Sequence, residues 1–266
     1  MGGVVDLYLI FKGYGPPRCS GRRALGSLRR VILGRPHLHY RSIGSTNERA
    51  REIAAAGAPA GALVTAAEQT AGRGRQGRPW STPAGAALAW SVVLRQAVEM
   101  PSTLPLQIGV GVCEAVESLG ASGVQMKWPN DVWIDGRKCA GILVEARPQD
   151  GWAVAGIGLN LSIADDEFLE GLRGRATSVG HGADLPLATE ALNEHVGRRL
   201  DASVEATLAE FSRRDGLRGR TVTWDEGRGV AAGIDRQGNL LVESPTGCLS
   251  TLNAGEVHLS LPAGTE

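Results

Sequence analysis

The sequence predicts an α+β protein: a mixed sheet with flanking helices, followed by a small all-β domain like an SH3 barrel. Three observations carry this. Up to about residue 215 the apolar positions switch between helical spacing and strand-like runs. Beyond Gly216 they occur only in short runs separated by Gly- and Asp-rich turns, the spacing expected of a small barrel. With 266 residues, 42% of them hydrophobic, the chain can bury one core of ordinary size and a second small one. The expected division is a leader over 1–23, the mixed-sheet domain over 24–215 and the barrel over 216–266.

Taken in order, Ser45-Thr46-Asn47-Glu48 sets a hydroxyl three residues ahead of a Glu, just before Ala50, Ile53 and Ala54, with Gly57 closing the run. This is a capping box at a helix start. Ala62 to Ala67 reads as a strand, and the apolar run Ala86 to Leu94 as a buried one. Leu104 to Leu119 has Pro105 near its start, apolar residues at helical spacing and Gly120 just past its end, which describes a helix. Val124 to Trp128 reads as a strand. Val132 to Ile134 and Lys138 to Glu145 form a hairpin on Asp135-Gly136, a favoured two-residue turn. Trp152 to Leu161 is a further strand, and 165–184 a loop. Ala188 to Arg214 keeps one helical spacing through Leu192, Val196, Leu200, Val204, Leu208 and Phe211. Five short strands follow: Thr221 to Trp224, Val230 to Ile234, Leu240 to Glu243, Leu249 to Leu252 and Val257 to Leu259.

Composition excludes several classes of function. No run approaches the roughly 18 apolar residues of a membrane span. Cys19, Cys113, Cys139 and Cys248 are scattered without a paired spacing, which fits reduced thiols in a cytoplasmic protein and argues against zinc or a disulfide framework. His37 and His39 stand far in sequence from His181, His195 and His258, so no metal is expected to be fixed by the protein alone. The net charge is zero, which removes a whole-protein electrostatic case for nucleic acid. The charge is uneven, however: residues 1–41 hold Lys12 and seven arginines against Asp6, and this stretch, Gly- and Pro-rich in its first part, reads as a poorly ordered leader or an artefact of an early start codon, with a nucleic-acid-binding tail as the functional alternative.

Chemistry concentrates in two segments. The chain has only three lysines among 28 basic residues, and two of them, Lys127 and Lys138, bracket Trp128-Pro129-Asn130-Asp131 and the hairpin turn. A chain that spells its solvated cations as Arg keeps Lys where a compact ammonium is needed. In the expected hairpin register Ile134 faces Arg137, Trp133 faces Lys138 and Val132 faces Cys139, so Asp131, Trp133, Lys138 and Ala140 share one face. Diagonal neighbours lie about 7 Å apart at Cβ, so Lys138 reaches Asp131, with Trp133 between them. The other segment is Gly72-Arg73-Gly74-Arg75-Gln76-Gly77-Arg78-Pro79-Trp80. It satisfies G-x-G-x-x-G, but Pro79, Pro83 and Gly85 forbid the long helix that a dinucleotide site requires. Three arginines on a glycine-rich backbone describe a flexible anion-binding loop, disordered when empty and ordered when filled. The chain contains no Gly-Lys dipeptide and so no P-loop. A bound nucleotide must therefore be held by the arginine loop and Lys138, bringing its own magnesium.

Together these pieces resemble the biotin protein ligases. Ser45-Thr46-Asn47, Gln69, the loop Gly72 to Trp80, Lys127 to Asp131, Lys138 with Gly141-Ile142-Leu143, Gly156 to Asn160 and Ala176-Thr177-Ser178 occur in that family's order. The resemblance implies a class II synthetase-like fold of the biotin/lipoate ligase type and an ATP-dependent, two-step transfer. Biotin is joined to AMP, then passed from biotinyl-5′-AMP to a lysine of a biotin carboxyl carrier protein domain, with Mg2+ accompanying ATP. It further implies Ser45, Thr46, Asn47, Gln69, Arg73, Gly74, Arg75 and Lys138 as biotin contacts. Arg75, Arg78, Trp80, Lys127, Asn130 and Asn160 fall to ATP, and Lys138, Arg75 and Asp131 to catalysis.

Some relatives of that type carry a DNA-binding domain. The stretch before Ser45 is too short for one, so a monofunctional enzyme without nucleic-acid or membrane partners is expected, as a monomer or homodimer. Lipoate or octanoate ligases and transferases of the same fold are the alternative; they are expected to show an Arg-Arg-x-x-Gly-Gly-Gly stretch or a catalytic Cys. Neither is evident, although Cys139 adjoins Lys138. A noncatalytic RNA-binding module built on the Arg-Gly loop is opposed by the zero net charge and the single short arginine cluster.

Overall fold

A computed structural model describes residues 32–95, 101–180, 182–225, 227–253, 255 and 257–259; the expected leader over 1–23 lies outside them. Along the chain the elements are β1 (His37–Tyr40), α1 (Thr46–Ala55), β2 (Leu63–Ala66), β3 (Ala87–Arg95), α2 (Leu104–Ser118), β4 (Val124–Lys127), β5 (Asp131–Ile134), β6 (Arg137–Arg147), β7 (Trp152–Asn160), α3 (Leu185–Leu200) and α4 (Val204–Arg214). The barrel region adds β8 (Thr221–Trp224), β9 (Gly227–Ile234), β10 (Leu240–Glu243), β11 (Leu249–Leu252) and β12 (His258–Leu259). Strands β1 to β7 form one sheet in the order β1-β2-β3-β7-β6-β5-β4, and β8 to β12 a second in the order β11-β10-β9-β8-β12. The first sheet is mixed because β1 runs parallel to β2 while every other pair is antiparallel.

Side-chain alternation gives that sheet two faces with different coverings. On β3, Leu88, Trp90, Val92 and Leu94 turn toward the main core, where Ile108, Val112 and Val116 of α2 and Leu192 and Val196 of α3 meet them. Each such fully buried side chain contributes about 1.5–3 kcal/mol. Helix α3 approaches α2 closely because Gly111 has no side chain; a Cβ there would lie 2.8 Å from the Val196 Cα. The opposite face is covered by α1 through Ala50 and Ala54, packed on Val64, Val93, Trp152 and Val154. Only part of this face is under the helix, and the uncovered part carries the site.

The structure corrects three expectations. The segment expected as one helix is two, because Asp201, Ala202 and Ser203 separate α3 from α4. The Ser203 hydroxyl accepts the Ala206 N–H and starts the second helix, a capping signal hidden inside an unbroken apolar period. In the hairpin, Trp133 faces Lys138 and Ile134 faces Arg137 as expected, but the register shifts by one residue and Val132 faces Ala140, leaving Cys139 as the extra residue of a bulge. Ala140 consequently belongs to the core with Val132. The capping box is one-sided: Ser45 Oγ accepts the Glu48 N–H, whereas the Glu48 carboxylate lies 3.8 Å from the Arg73 guanidinium.

The second sheet docks on the end of the first that bears the lysines. The Trp128 indole N–H donates to the Gly238 carbonyl at 2.9 Å, and the Ser102 hydroxyl donates to that of Gln237. Gly238 has φ +81°, and its turn lies against Thr103 and Leu106 at the start of α2.

Candidate functional site

The pocket opens where α1 begins and the sheet surface turns to glycine. Ser91 on β3 faces Gly156 on β7, Ala89 faces Gly158, and Gly158 faces Gly141 on β6. These positions share the face covered by α1 farther along, but without large side chains they leave a floor of bare backbone. The vacated space is used. A Cβ at Gly156 would fall 1.9 Å from Asn47 Oδ1, one at Gly158 would fall 2.4 Å from the Trp80 ring, and one at Gly141 would lie 3.1 Å from Lys138 Nζ.

Around this floor stand residues from four separate segments: Ser45, Thr46 and Asn47 from the helix start, Gln69, the loop residues Arg73, Gly74, Arg75 and Trp80, and Asn130 with Lys138 from the hairpin corner. All were expected from sequence. Thr46 donates both its backbone N–H (2.8 Å) and its hydroxyl (3.1 Å) to Gln69 Oε1. The arginine loop makes one short 3₁₀ turn, Arg75–Gly77, and no helix follows it, as the rejection of a dinucleotide motif requires. Arg75 donates to Asn130 Oδ1 at 2.9 Å and to the carbonyl of Gly255, a residue between β11 and β12, at 3.3 Å, so one guanidinium touches both the hairpin corner and the C-terminal region.

Lys138 Nζ sits 2.7 Å from Asp131 Oδ1, and that buried oxygen makes no hydrogen bond besides the ion contact. The pair forms despite the bulge. The ring beneath the ammonium is that of Trp80, 5.6 Å to its centroid, while Trp133 faces Lys127 at 5.7 Å and Arg220 at 5.9 Å. Trp133 therefore does not stand between Lys138 and Asp131, which touch directly, and the aromatic partner of the Lys138 ammonium is Trp80, whose ring reaches across the glycine floor.

Lys127, Arg78 and Asn160, expected on the nucleotide side, are not among the residues that line this pocket. Asn160 is 3% exposed and its amide donates to the Thr177 carbonyl, pinning the loop whose backbone pairs with Lys138. Sequence reasoning missed Ser91, a lone Ser in an apolar strand, and Glu145, whose carboxylate accepts the Asn47 amide N–H at 2.9 Å. It quoted Gly141, Gly156 and Gly158 within motifs but gave them no role. The Cys139 thiol is buried, and burial pushes it up to about 12, so it supplies no thiolate near neutral pH.

Among the described residues, no three His, Cys, Asp or Glu side chains are grouped to hold a metal. Asp131, the carboxylate beside Lys138, is engaged by that ammonium, so the donor set fits a cation that arrives on phosphate oxygens.

An α1 start bearing hydroxyl and amide groups, a guanidinium loop and an ammonium above a glycine floor define a protein of the biotin–lipoate ligase class. Residues 40–162 match the biotin/lipoate A/B protein ligase family and residues 219–260 the biotin protein ligase C terminal domain. The chain belongs to that family. It is 35% identical over 242 residues to the Mycobacterium tuberculosis biotin--[acetyl-CoA-carboxylase] ligase, covering 81% of this chain and 86% of that one. Against the Paracoccus denitrificans protein of the same name the identity is 32% over 234 residues, covering 76% and 92%. With the bifunctional ligase/repressor BirA of Bacillus subtilis it is 31% over 186 residues, covering 68% of this chain, which spans 57% of that relative's length. Its fold superimposes on the biotin protein ligase of Aquifex aeolicus in complex with biotin and ATP, with a TM-score of 0.74 at 27% identity, covering 84% of this chain and 98% of the other.

Proposed function

We propose that the chain is an ATP-dependent biotin ligase that modifies a lysine of a biotin carboxyl carrier protein domain through biotinyl-5′-AMP. The observation that carries this reading is the convergence of Ser45-Thr46-Asn47, Gln69, the Arg73–Arg75 loop and Lys138 on one glycine-floored pocket. In the first step a biotin carboxylate oxygen attacks the α-phosphorus of ATP, a P–O bond forms and pyrophosphate leaves. In the second the acceptor amine attacks the acyl carbon, a C–N bond forms, AMP departs and the amine loses a proton. Both steps concentrate negative charge, so fixed cations and orientation lower the barriers. Lys138 acts as a protonated stabiliser of carboxylate and phosphate, Arg75 and Arg73 grip the adenylate, and Arg78, Lys127 and Asn160 belong to the nucleotide side. Mg2+ enters with ATP and neutralises its phosphates. The domain division lies at 216, the protein acts in the cytoplasm as a monomer or homodimer, and no helix among the described residues is long and apolar enough to cross a membrane.

Mass spectrometry of a purified carrier domain, after incubation with this protein, biotin and Mg-ATP, tests the reading: a gain of one biotinyl group is expected, and an unmodified domain refutes it. Lipoate in place of biotin gives no product. Cys139 is inert, so treating the folded protein with iodoacetamide leaves ligation rates unchanged; loss of activity with a modified Cys139 would restore an acyl-thioester route.

Two variants separate the half-reactions. Asp131, one oxygen of which holds Lys138, accepts a hydrogen bond from the incoming amine in the second step. Asp131→Asn is therefore expected to slow transfer from preformed adenylate more than adenylate synthesis, and unchanged transfer removes it from that role. The loop, ordered by the adenylate, keeps the anhydride from water and stray amines. Arg75→Gly removes the contacts to Asn130 and Gly255, and it is expected to release adenylate and label bystander lysines; a variant that shows no leakage refutes the lid.

A further inference from the structure

We infer that Glu145, acting through Asn47, fixes the wall of the pocket as a hydrogen-bond acceptor, and thereby selects a ligand head that presents N–H donors, as a cyclic urea does. The inference rests on the biotin reading and deepens it. Glu145 lies on β6 behind Asn47, outside the residues that line the pocket.

A carboxylate only accepts, so the end of the Asn47 amide at 2.9 Å from Glu145 Oε2 is the NH2 group. The other end, Oδ1, then points to Ser91, 2.7 Å away, and over the bare backbone of Gly156. At the far end of the same chain Gln69 Oε1 is fixed as an oxygen by the Thr46 backbone N–H. Between these two acceptors lie the hydroxyls of Ser91 and Thr46, 2.8 Å apart. Three contacts, Asn47–Ser91, Ser91–Thr46 and Thr46–Gln69, compete for two hydroxyl protons, so at most two of them are hydrogen bonds at once. Both protons are committed within the wall, and the hydroxyls have only lone pairs left to offer a ligand. A donor from outside is what this arrangement lacks; the aliphatic or dithiolane end of octanoate or lipoate brings none.

Arg51 makes the direction dependent on charge. It is paired with the other oxygen of Glu145, Nη1 to Oε1 at 3.2 Å. In Glu145→Gln a single oxygen is wanted by both Arg51 and Asn47, and the charged donor prevails. The Gln NH2 then faces Asn47, which turns its oxygen outward and its NH2 toward Ser91, so the wall becomes donor-rich. Removing Arg51 as well frees the Gln oxygen to accept from Asn47 again.

The experiment is calorimetric titration of biotin, and of a biotin methylated at a ureido nitrogen, into wild type, Glu145→Gln, Arg51→Met and Glu145→Gln/Arg51→Met. Steady-state adenylate synthesis is measured in parallel. The expected result for Glu145→Gln is a weakening of biotin binding by about tenfold or more. KM for ATP stays unchanged and kcat stays within about twofold at saturating biotin, because the reacting end of biotin is remote from Glu145. The methylated analogue shows a smaller penalty from the variant, and the double variant regains most of the loss. A merely structural role for Glu145 predicts equal penalties for both ligands and no recovery. Equal penalties, unchanged biotin affinity in Glu145→Gln or failure of Arg51→Met to restore it overturns the inference and leaves the ligase reading standing. A wild-type protein that binds no biotin overturns both.

Discussion

Replacing Lys138 with Met is expected to slow adenylate synthesis by roughly 100- to 1,000-fold, the cost of removing one preorganised donor from a site where charge develops. Methionine keeps the length of the side chain and its packing on Trp80 but loses the ammonium that lies 5.6 Å from that ring and 2.7 Å from Asp131. The loss should fall mainly on kcat, because the charge acts most strongly once the carboxylate oxygen and the phosphate have come together. Lys138→Arg should rescue little. The planar guanidinium needs more room than the floor allows, since a Cβ on Gly141 already falls 3.1 Å from Nζ. Biotin-dependent exchange of pyrophosphate into ATP is the measurement. Lys138→Met that retains more than about a tenth of the wild-type exchange rate would remove the ammonium from the chemistry.

Much of this corner was legible in sequence because its information is local. Asp135-Gly136 fixed the turn, the turn fixed Trp133 opposite Lys138, and the reach of a lysine stem delivered the ion pair with Asp131. The bulge at Cys139 was not legible, because one extra residue changes no periodicity that a reader of the sequence measures. For α3 and α4 the failure has a related cause: Leu200 and Val204 keep helical spacing across the break, so the pattern outvoted the cap at Ser203. Strand β1 was missed since its pairing is with β2, a parallel neighbour across the whole of α1. Glu145 and Ser91 stand 98 and 44 residues from the Asn47 they hold, and nothing in their own surroundings marks them. Gly156 and Gly158 were visible as letters of a motif, but their purpose appears only when β3, β6 and β7 are laid side by side.

That purpose yields the second large effect. Gly156→Ala adds a single methyl to a strand residue whose backbone suits any amino acid, so conformational strain is not the cost. The new Cβ would instead sit 1.9 Å from Asn47 Oδ1 and 2.7 Å from its Cγ. Asn47 has no retreat: Glu145 holds its amide from one side, Ser91 its oxygen from another, and its backbone is in the first turn of α1. Either α1 lifts from the sheet or the Asn47 side chain rotates away, and in both cases the acceptor wall is broken. Overpacking of this kind costs about 1–3 kcal/mol of stability. A displacement near 1 Å of a positioning group lowers catalytic efficiency by about 100-fold. The expected outcome is a rise in the biotin Kd of that order, with the KM for ATP little changed, because Arg75 and Lys138 stand on other segments. Gly171→Ala serves as the control: no atom lies within 4 Å of its added Cβ, and its affinity and melting temperature should match wild type. Titration calorimetry with biotin alone decides the matter. Gly156→Ala that binds biotin as tightly as wild type would show that Asn47 yields at no cost, and the floor would then be a space the pocket does not need.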